Sequence, residues 1–246
     1  MINKKLGRNV PTNAPAIMYA SFKGAKIVIP KPLPFILNLQ KIKTWILGDN
    51  DKFGVCGPVS IANFLNLLGI SVTQEDIFDL YRRSGNPDFD PATGADDNGV
   101  VVQNMLNALL TGGIGGHFPA AFVKLNPKNL DEIRDGIQVF KGLIVGVNLE
   151  VAQQTQKEWK YKKSRKWGGH CILVGSYTTN PDLMDCISWA ELIPMDDTFI
   201  EAPGHQVEEV WGVLFKENLN GLTTDEIKTL AIEYQAITGR VFPITV

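Results

Sequence analysis

Cysteine and histidine are scarce in this chain, three of each among 246 residues. Cys56, Cys171 and Cys186 are odd in number and none forms a Cys-x-x-Cys pair, so neither a disulfide framework nor a zinc site is expected. No metal or other cofactor is expected elsewhere. An excess of one charge is missing too: 24 Lys and Arg against 26 Asp and Glu leave a formal charge of −2, which supplies no global field to gather nucleic acid or an anionic membrane. No apolar run approaches the roughly 18 residues needed to span a bilayer. The start, Met1-Ile2-Asn3-Lys4-Lys5-Leu6-Gly7-Arg8, has charge but no apolar block of secretory length behind it. The expectation is a soluble protein of a reducing compartment, without a membrane partner or a nucleic-acid partner.

The chain does have apolar material, at 44% hydrophobic residues, and a chain of this length hides roughly 70–75% of its unfolded surface. One compact domain with extensions is expected. Residues 1–45 carry Pro11, Pro15, Pro30, Pro32 and Pro34 with one strand-like run, Ala25 to Ile29. Proline at that density disfavours helix and central strand, so this stretch reads as an extended arm laid over the domain or over a partner. Cys56 to Leu68 is apolar at helical spacing, with Pro58 tolerated in the first turn and Gly69 able to end the helix. Thr73 is placed to cap a second helix running to about Arg83, and helical spacing resumes from Val100 to Leu110.

Period and composition then change. Strands are predicted over Phe118–Leu125, Leu143–Leu149, His170–Tyr177, Leu183–Leu192 and Val207–Phe215, with helices over about Leu130–Phe140 and from the capping box at Thr223 to Glu226. Helices first and strands second imply a segregated α+β architecture. The corresponding division is an arm over 1–45, a central domain over 46–216 with its helical part at about 46–115 and its sheet part at about 116–216, and a C-terminal helix and tail over 217–246.

Three positions have a joint chemical meaning. Asn50 lies six residues ahead of Cys56 in Gly48-Asp49-Asn50-Asp51-Lys52-Phe53-Gly54-Val55-Cys56, and Gly168-Gly169-His170 opens an apolar run far downstream. A thiol at a helix N-terminus feels the positive end of the macrodipole, and a neighbouring imidazole favours the thiolate. An amide side chain one short loop earlier can donate to the oxyanion formed when that sulfur attacks a carbonyl. Each residue also has a plainer explanation: Cys56 as a buried apolar thiol, His170 as a hydrogen-bonded strand-end histidine, Asn50 as an Asx-turn residue. His117 and His205 look like loop or strand-start residues. Asp88, Asp90, Asp96 and Asp97 invite a calcium reading, but Thr93 stands where an EF-hand loop needs glycine and Ala92 takes a ligand position, so Asp-rich turns and a helix cap explain them better. The basic run from Lys157 to Lys166, interleaved with Trp159, Tyr161 and Trp167, is a solvated surface loop or a rim favouring acidic substrates.

On these residues the chain resembles papain-like cysteine peptidases. Asn50 matches by spacing the family's oxyanion glutamine, Cys56 its nucleophile, Gly169-His170 its glycine-histidine pair, and Ser188-Trp189-Ala190 its Ser-Trp-Gly. From about Gly48 to Phe215 the order of short motifs is similar to papain-like proteins that are often phage or prophage encoded. The Cys-Gly-Ser-Cys-Trp signature of papains is absent, and Ile187 occupies the position of the family's orienting Asn, which leaves Asp185 and Ser188 as substitutes. The resemblance implies a helical lobe packed on an antiparallel sheet lobe, and a thiol hydrolase acting on a peptide or protein substrate through Cys56, His170, Asn50 and Asp185. The alternative is a catalytically inactive structural or attachment protein of a virion, docking on virion or homo-oligomeric neighbours through its arm. The location implied is the host cytoplasm or the virion.

Overall fold

The computed structural model describes residues 4–23, 39, 42, 44–179, 182–201 and 206–243. The strand-like run at 25–29 and His205 fall outside these. Among the described residues four helices come first: α1 (Tyr19–Lys23), α2 (Cys56–Leu67), α3 (Gln74–Arg83) and α4 (Val102–Gly112). Helix α2 is buried at every residue from Cys56 to Leu65, as expected of a helix apolar on all sides that runs through the middle of a domain. It stops at Gly69, whose φ of +82° reverses the chain at no steric cost. Helix α3 begins at the predicted cap: Thr73 and Asp76 form a reciprocal capping box, with Glu75 and Asp76 in the first turn and Arg82 and Arg83 in the last, both favourable to the helix dipole. Helix α4 starts two residues later than its spacing suggests, because Val100 pairs with residue 8 of the arm.

The second half supplies β1 (Ala121–Leu125), α5 (Leu130–Phe140), β2 (Leu143–Glu150), β3 (Lys166–Thr179), β4 (Asp182–Ser188), β5 (Glu191–Asp196), α6 (Asp197–Glu201), β6 (Val207–Leu214) and α7 (Thr224–Thr238). The strands form one antiparallel sheet in the order β1-β6-β2-β3-β4-β5. Period two sends alternate residues to its two faces. Ile144, Cys171, Leu173, Ile187 and Trp211 pack with α2, α3 and α4. Val145, Ile172, Val174, Cys186 and Val210 pack with α5, α7 and the arm residues Ile17 and Tyr19. Each fully buried Leu, Ile or Phe in these layers contributes about 1.5–3 kcal/mol. The architecture is thus the expected α+β arrangement, with the sheet also covered on its far face by segments from both chain ends.

Three strand expectations need correction. Leu183–Leu192 is not one strand but the hairpin β4–β5, turning at Trp189 and Ala190 with φ of +48° and +60°. Neither residue is a usual carrier of positive φ, so the turn gave no sequence signal. His170 does not open its strand but sits four residues into β3, because β2 continues far enough to pair Glu150 with Lys166. Strand β1 starts at Ala121, after Pro119, rather than at Phe118.

Candidate active site

Helix α2 sets Cys56 at its first position, following Val55, whose side chain makes no capping bond. The Cys56 sulfur accepts hydrogen bonds from the backbone N–H groups of Cys171, Gly7 and Gly57. Cys171 follows His170 on β3, so sheet and helix meet at the thiol. The His170 ring is held from two sides. Its Nε2 lies 2.8 Å from the Ser188 hydroxyl, and its face stacks on the Trp189 indole at 4.1 Å between centroids and 10° between planes. Trp189 stacks in turn on Trp167 at 5.6 Å. His170 Nδ1 is buried and has no hydrogen-bond partner, the Cys56 sulfur included.

The hydrogen bond on the His170 ring comes from Ser188 and not from Asp185. Ser188 shares the His170 face of the sheet, whereas Ile187 turns to α2. Asp185, two residues before Ile187, pairs across β3–β4 with Ser176 and accepts that hydroxyl's hydrogen bond at 2.7 Å. Asp185 is engaged six residues along the strand from His170, on the other side of the ladder. Asn50 is buried beside α2 in the turn that precedes it, its backbone N–H donating to Leu47 at 2.9 Å, and its side-chain Oδ1 has no partner.

The cleft between helices and sheet is not open. Residues Lys4 to Asn9 of the arm lie along it as a strap. Lys5 N–H donates to the Asp51 carbonyl at 3.2 Å, and the Trp189 indole N–H donates to the Lys5 carbonyl at 3.3 Å. Val100 N–H donates to the Gly7 carbonyl at 2.7 Å, Arg8 N–H to Gly169 at 3.1 Å, and Asn9 N–H to Val100 at 2.7 Å. Gly7 passes so close to the wall that a Cβ there would stand 2.2 Å from Gly54 Cα. The wall itself is braced by Asp97, which accepts from Gly54 N–H at 2.8 Å and Tyr81 hydroxyl at 2.7 Å. Lys4 adds a cation over the Trp189 ring at 4.6 Å and an ion pair with Glu191 at 3.2 Å.

Cys56 and His170 are therefore both fully buried with no hydrogen bond between them, and the solvent-reachable arrangement of the two anticipated from sequence is not open in this structure. The electrostatics follow. Burial pushes the Cys56 thiol up to about 11, against the opposing help of the Cys171, Gly7 and Gly57 amides and of Arg8. Burial, then the positive charges of Lys4 and Arg8, push His170 down to about 3. Two of these three causes on His170 are strap residues. The covered pair is thus thiol and neutral imidazole, and the sulfur faces the Gly7 N–H rather than a carbonyl carbon.

The other candidates fall into structural roles. The Asp90 carboxylate accepts from Ala92 N–H and the Thr93 hydroxyl, and Asp96 accepts from Asp88 N–H and the Asn98 amide, so these acids build turns. Among the described residues no cluster of His, Cys, Asp and Glu is arranged to hold a metal ion. His117 closes a tight turn with Ile114. Lys157, with Lys4, Gln153 and Trp167, lines a cavity of about 810 Å³ beyond the Trp189 side of the cleft. Sequence reasoning expected an extended arm over the domain or a partner but missed that residues 4–9 cover the candidate site, and it missed the acidic residues Glu208 and Glu209, which meet Arg8. No local pattern marks either, since both depend on which segments the fold brings together.

No family model matches the chain, and no curated protein matches it. Solved structures do. Xylellain, a cysteine protease from Xylella fastidiosa, superposes with a TM-score of 0.62 at 11% identity over 86% of this chain and 96% of its own. Procathepsin B S9 from Trypanosoma congolense gives 0.58 at 8% identity over 87% of each chain. Digestive procathepsin L 3 from the larval midgut of Tenebrio molitor gives 0.60 at 10% identity over 87% of this chain and 76% of its own. Likeness at such low identity establishes architecture, and the architecture of this chain is that of the papain-like cysteine proteases.

Proposed function

We propose that the chain is a papain-like thiol hydrolase that cleaves peptide or isopeptide bonds and rests closed under its own residues 4–9. The observation that carries this reading is the convergence of three backbone N–H donors on the Cys56 thiol at the head of a buried helix, one of them the amide of Cys171, the residue after a histidine held by Ser188 and Trp189. Hydrogen bonds of that kind favour the thiolate once the strap leaves and water returns. With Nε2 engaged by Ser188, Nδ1 is the nitrogen free to act as base. His170 then takes the Cys56 proton, the sulfur attacks the carbonyl carbon, and the Asn50 amide with the Cys56 N–H holds the oxyanion. Collapse of the tetrahedral intermediate breaks the C–N bond, the amine leaves with the proton from His170, and water attacking the thioester releases the acid and regenerates the thiol.

The test uses the full chain carrying Gly7→Ala, in which the new methyl cannot fit against Gly54 and the strap is displaced. Turnover of a mixed fluorogenic peptide pool is expected, and is expected to vanish when Cys56→Ala is added. Absence of turnover across the pool would refute the hydrolase. A second reading, a catalytically silent papain-fold scaffold, is favoured by the upward shift of Cys56, the downward shift of His170 and the isoleucine at position 187. Labelling with a thiol-directed electrophile across pH 4 to 9 separates the two in the Gly7→Ala chain: fast labelling of Cys56 at acid pH belongs to a thiolate paired with imidazolium, and an ordinary thiol titration belongs to the scaffold.

A further inference from the structure

The strap makes one side-chain contact of a different kind from its others. The Arg8 side chain is 1% exposed. Its Nη2 donates to Glu208 at 2.6 Å and Asn148 at 2.7 Å, its Nη1 to Glu209 at 3.2 Å and the Asn9 carbonyl at 3.3 Å, and its Nε to the Val147 carbonyl at 3.4 Å. A planar fork with five donors is matched here by acceptors on three sides, a recognition that an ammonium cannot reproduce. The slot also fits the aliphatic stem. Gly146 faces it, and a Cβ there would stand 2.8 Å from Arg8 Cδ and 2.6 Å from Glu209 Cγ.

We propose that Glu208, Glu209 and Asn148 form an arginine-binding subsite of the cleft, and that the peptide this chain cleaves carries an arginine where Arg8 now lies. The substrate half of this inference rests on the hydrolase reading above; the binding half does not. Three observations carry it. The slot adjoins the reaction centre: Arg8 N–H bonds Gly169, which precedes His170, and its neighbour Gly7 meets the Cys56 sulfur. The remaining polar contacts of residues 7 to 9 with the walls are backbone bonds to Val100 and Gly169, which hold any extended chain regardless of sequence, and one exposed bond from the Asn9 amide to the Asn98 carbonyl at 3.0 Å, so the buried side-chain selection lies in the Arg8 slot. Finally, the slot is built to hold a carboxylate against a cation. Glu209 is as buried as Arg8 and is held by the Trp211 indole N–H at 2.9 Å; burial pushes its carboxyl upward while the indole and Arg8 oppose that shift, so the ionised Glu209 depends on a cation in the slot. A simple tether needs none of this, because Lys4–Glu191 and Lys5–Asp97 already pin the strap near the rim. The charge preference is also opposite to the acidic-substrate preference that the Lys157–Lys166 run suggested from sequence.

The experiment uses the full chain with Gly7→Ala, after faster Cys56 labelling has verified that the strap is out. The probe is a labelled, end-blocked heptapeptide, Lys-Lys-Leu-Gly-Arg-Asn-Val, compared by fluorescence anisotropy with versions bearing citrulline or leucine in place of the arginine. Citrulline keeps the shape and removes the charge. The arginine peptide is expected to bind at least about 30-fold tighter than the citrulline peptide, as for a buried charge pair losing one partner, and Glu209→Gln is expected to abolish the difference. Should Glu209→Gln fail to fold, Glu208→Gln, whose side chain is partly exposed, is expected to reduce the discrimination at least threefold. Equal binding of the arginine and citrulline peptides, no binding of any of them, or discrimination untouched by the glutamate variants overturns the subsite. Hydrolysis without arginine preference would overturn it while leaving the hydrolase intact; arginine-selective binding with no turnover of any peptide would retain the subsite and overturn the hydrolase.

Discussion

At the scale of single residues, the geometry around His170 separates orientation from acid–base chemistry. Ser188 bonds Nε2 and Trp189 covers the ring face, which fixes the imidazole without supplying a charge. A neutral hydrogen bond contributes about 0.5–1.5 kcal/mol, so Ser188→Ala in a strap-free chain should lower kcat/KM by roughly 3–10-fold. The pH profile should change with it, since the ring tautomer loses its anchor; an unaltered profile and rate would remove Ser188 from the positioning role. Asn50 is the proposed oxyanion donor. Loss of an oxyanion donor costs roughly 10²–10³-fold in kcat, so Asn50→Ala should slow turnover to that extent with little change in KM. Turnover within a few fold of the parent would remove Asn50 from the oxyanion site.

At the scale of elements, the strap behaves as an added strand laid between two walls. Its fit depends on close backbone approach at Gly7, where the atoms a Cβ would strike belong to the Gly54 backbone and have no rotamer to escape into. Gly7→Ala should therefore expel the strap and raise the rate of Cys56 alkylation by at least tenfold, read by mass spectrometry, while near-native helix and sheet content remains in circular dichroism. An unchanged alkylation rate would mean that the strap is held by more than its fit at Gly7. The capping box of α7, Thr223 with Glu226, is independent of the cleft. Thr223→Ala should cost about 1 kcal/mol of stability and leave Cys56 labelling unaffected, which provides a control for destabilisation alone.

At the scale of the whole molecule, closure and proton binding are linked. With the strap in place His170 is held neutral down to about pH 3, far below its ordinary value of 6.5, by burial first and then by Lys4 and Arg8. Above pH 6.5 the ring is neutral in the covered chain and in the unfolded chain, so burying it carries no protonation penalty. As pH falls from 6.5 toward 3, the uncovered ring takes up a proton that the covered ring refuses, so the closed form loses stability over that window. Thermal stability of the wild-type chain should accordingly fall from pH 6.5 to 4, and the fall should be smaller in His170→Gln. Identical slopes in the two chains would show that other groups govern the acid response.

Much of the fold is legible in the sequence wherever local chemistry and long-range packing agree. The α2 pattern from Cys56, the Thr73 cap and the full extent of α5 are written in apolar spacing and capping residues, and these elements sit where the spacing puts them. The hairpin at Trp189 and Ala190 is not, because its positive φ values are imposed by strand pairing and by the indole stack on His170 rather than by residues that favour such turns. The candidate site is legible in the sequence only as spacing. The Asn50, Cys56 and His170 spacing reflects a local loop, a helix start and a glycine-flanked strand, whereas the choice of Ser188 over Asp185 depends on which sheet face each side chain takes. What the sequence determined alone was the set of elements and the presence of a thiol at a helix head. Only the tertiary structure decided that Arg8 enters an acidic slot whose glutamates come from a strand some 200 residues downstream, and that the thiol is covered, because both are properties of separations in space that no period or motif along the chain encodes.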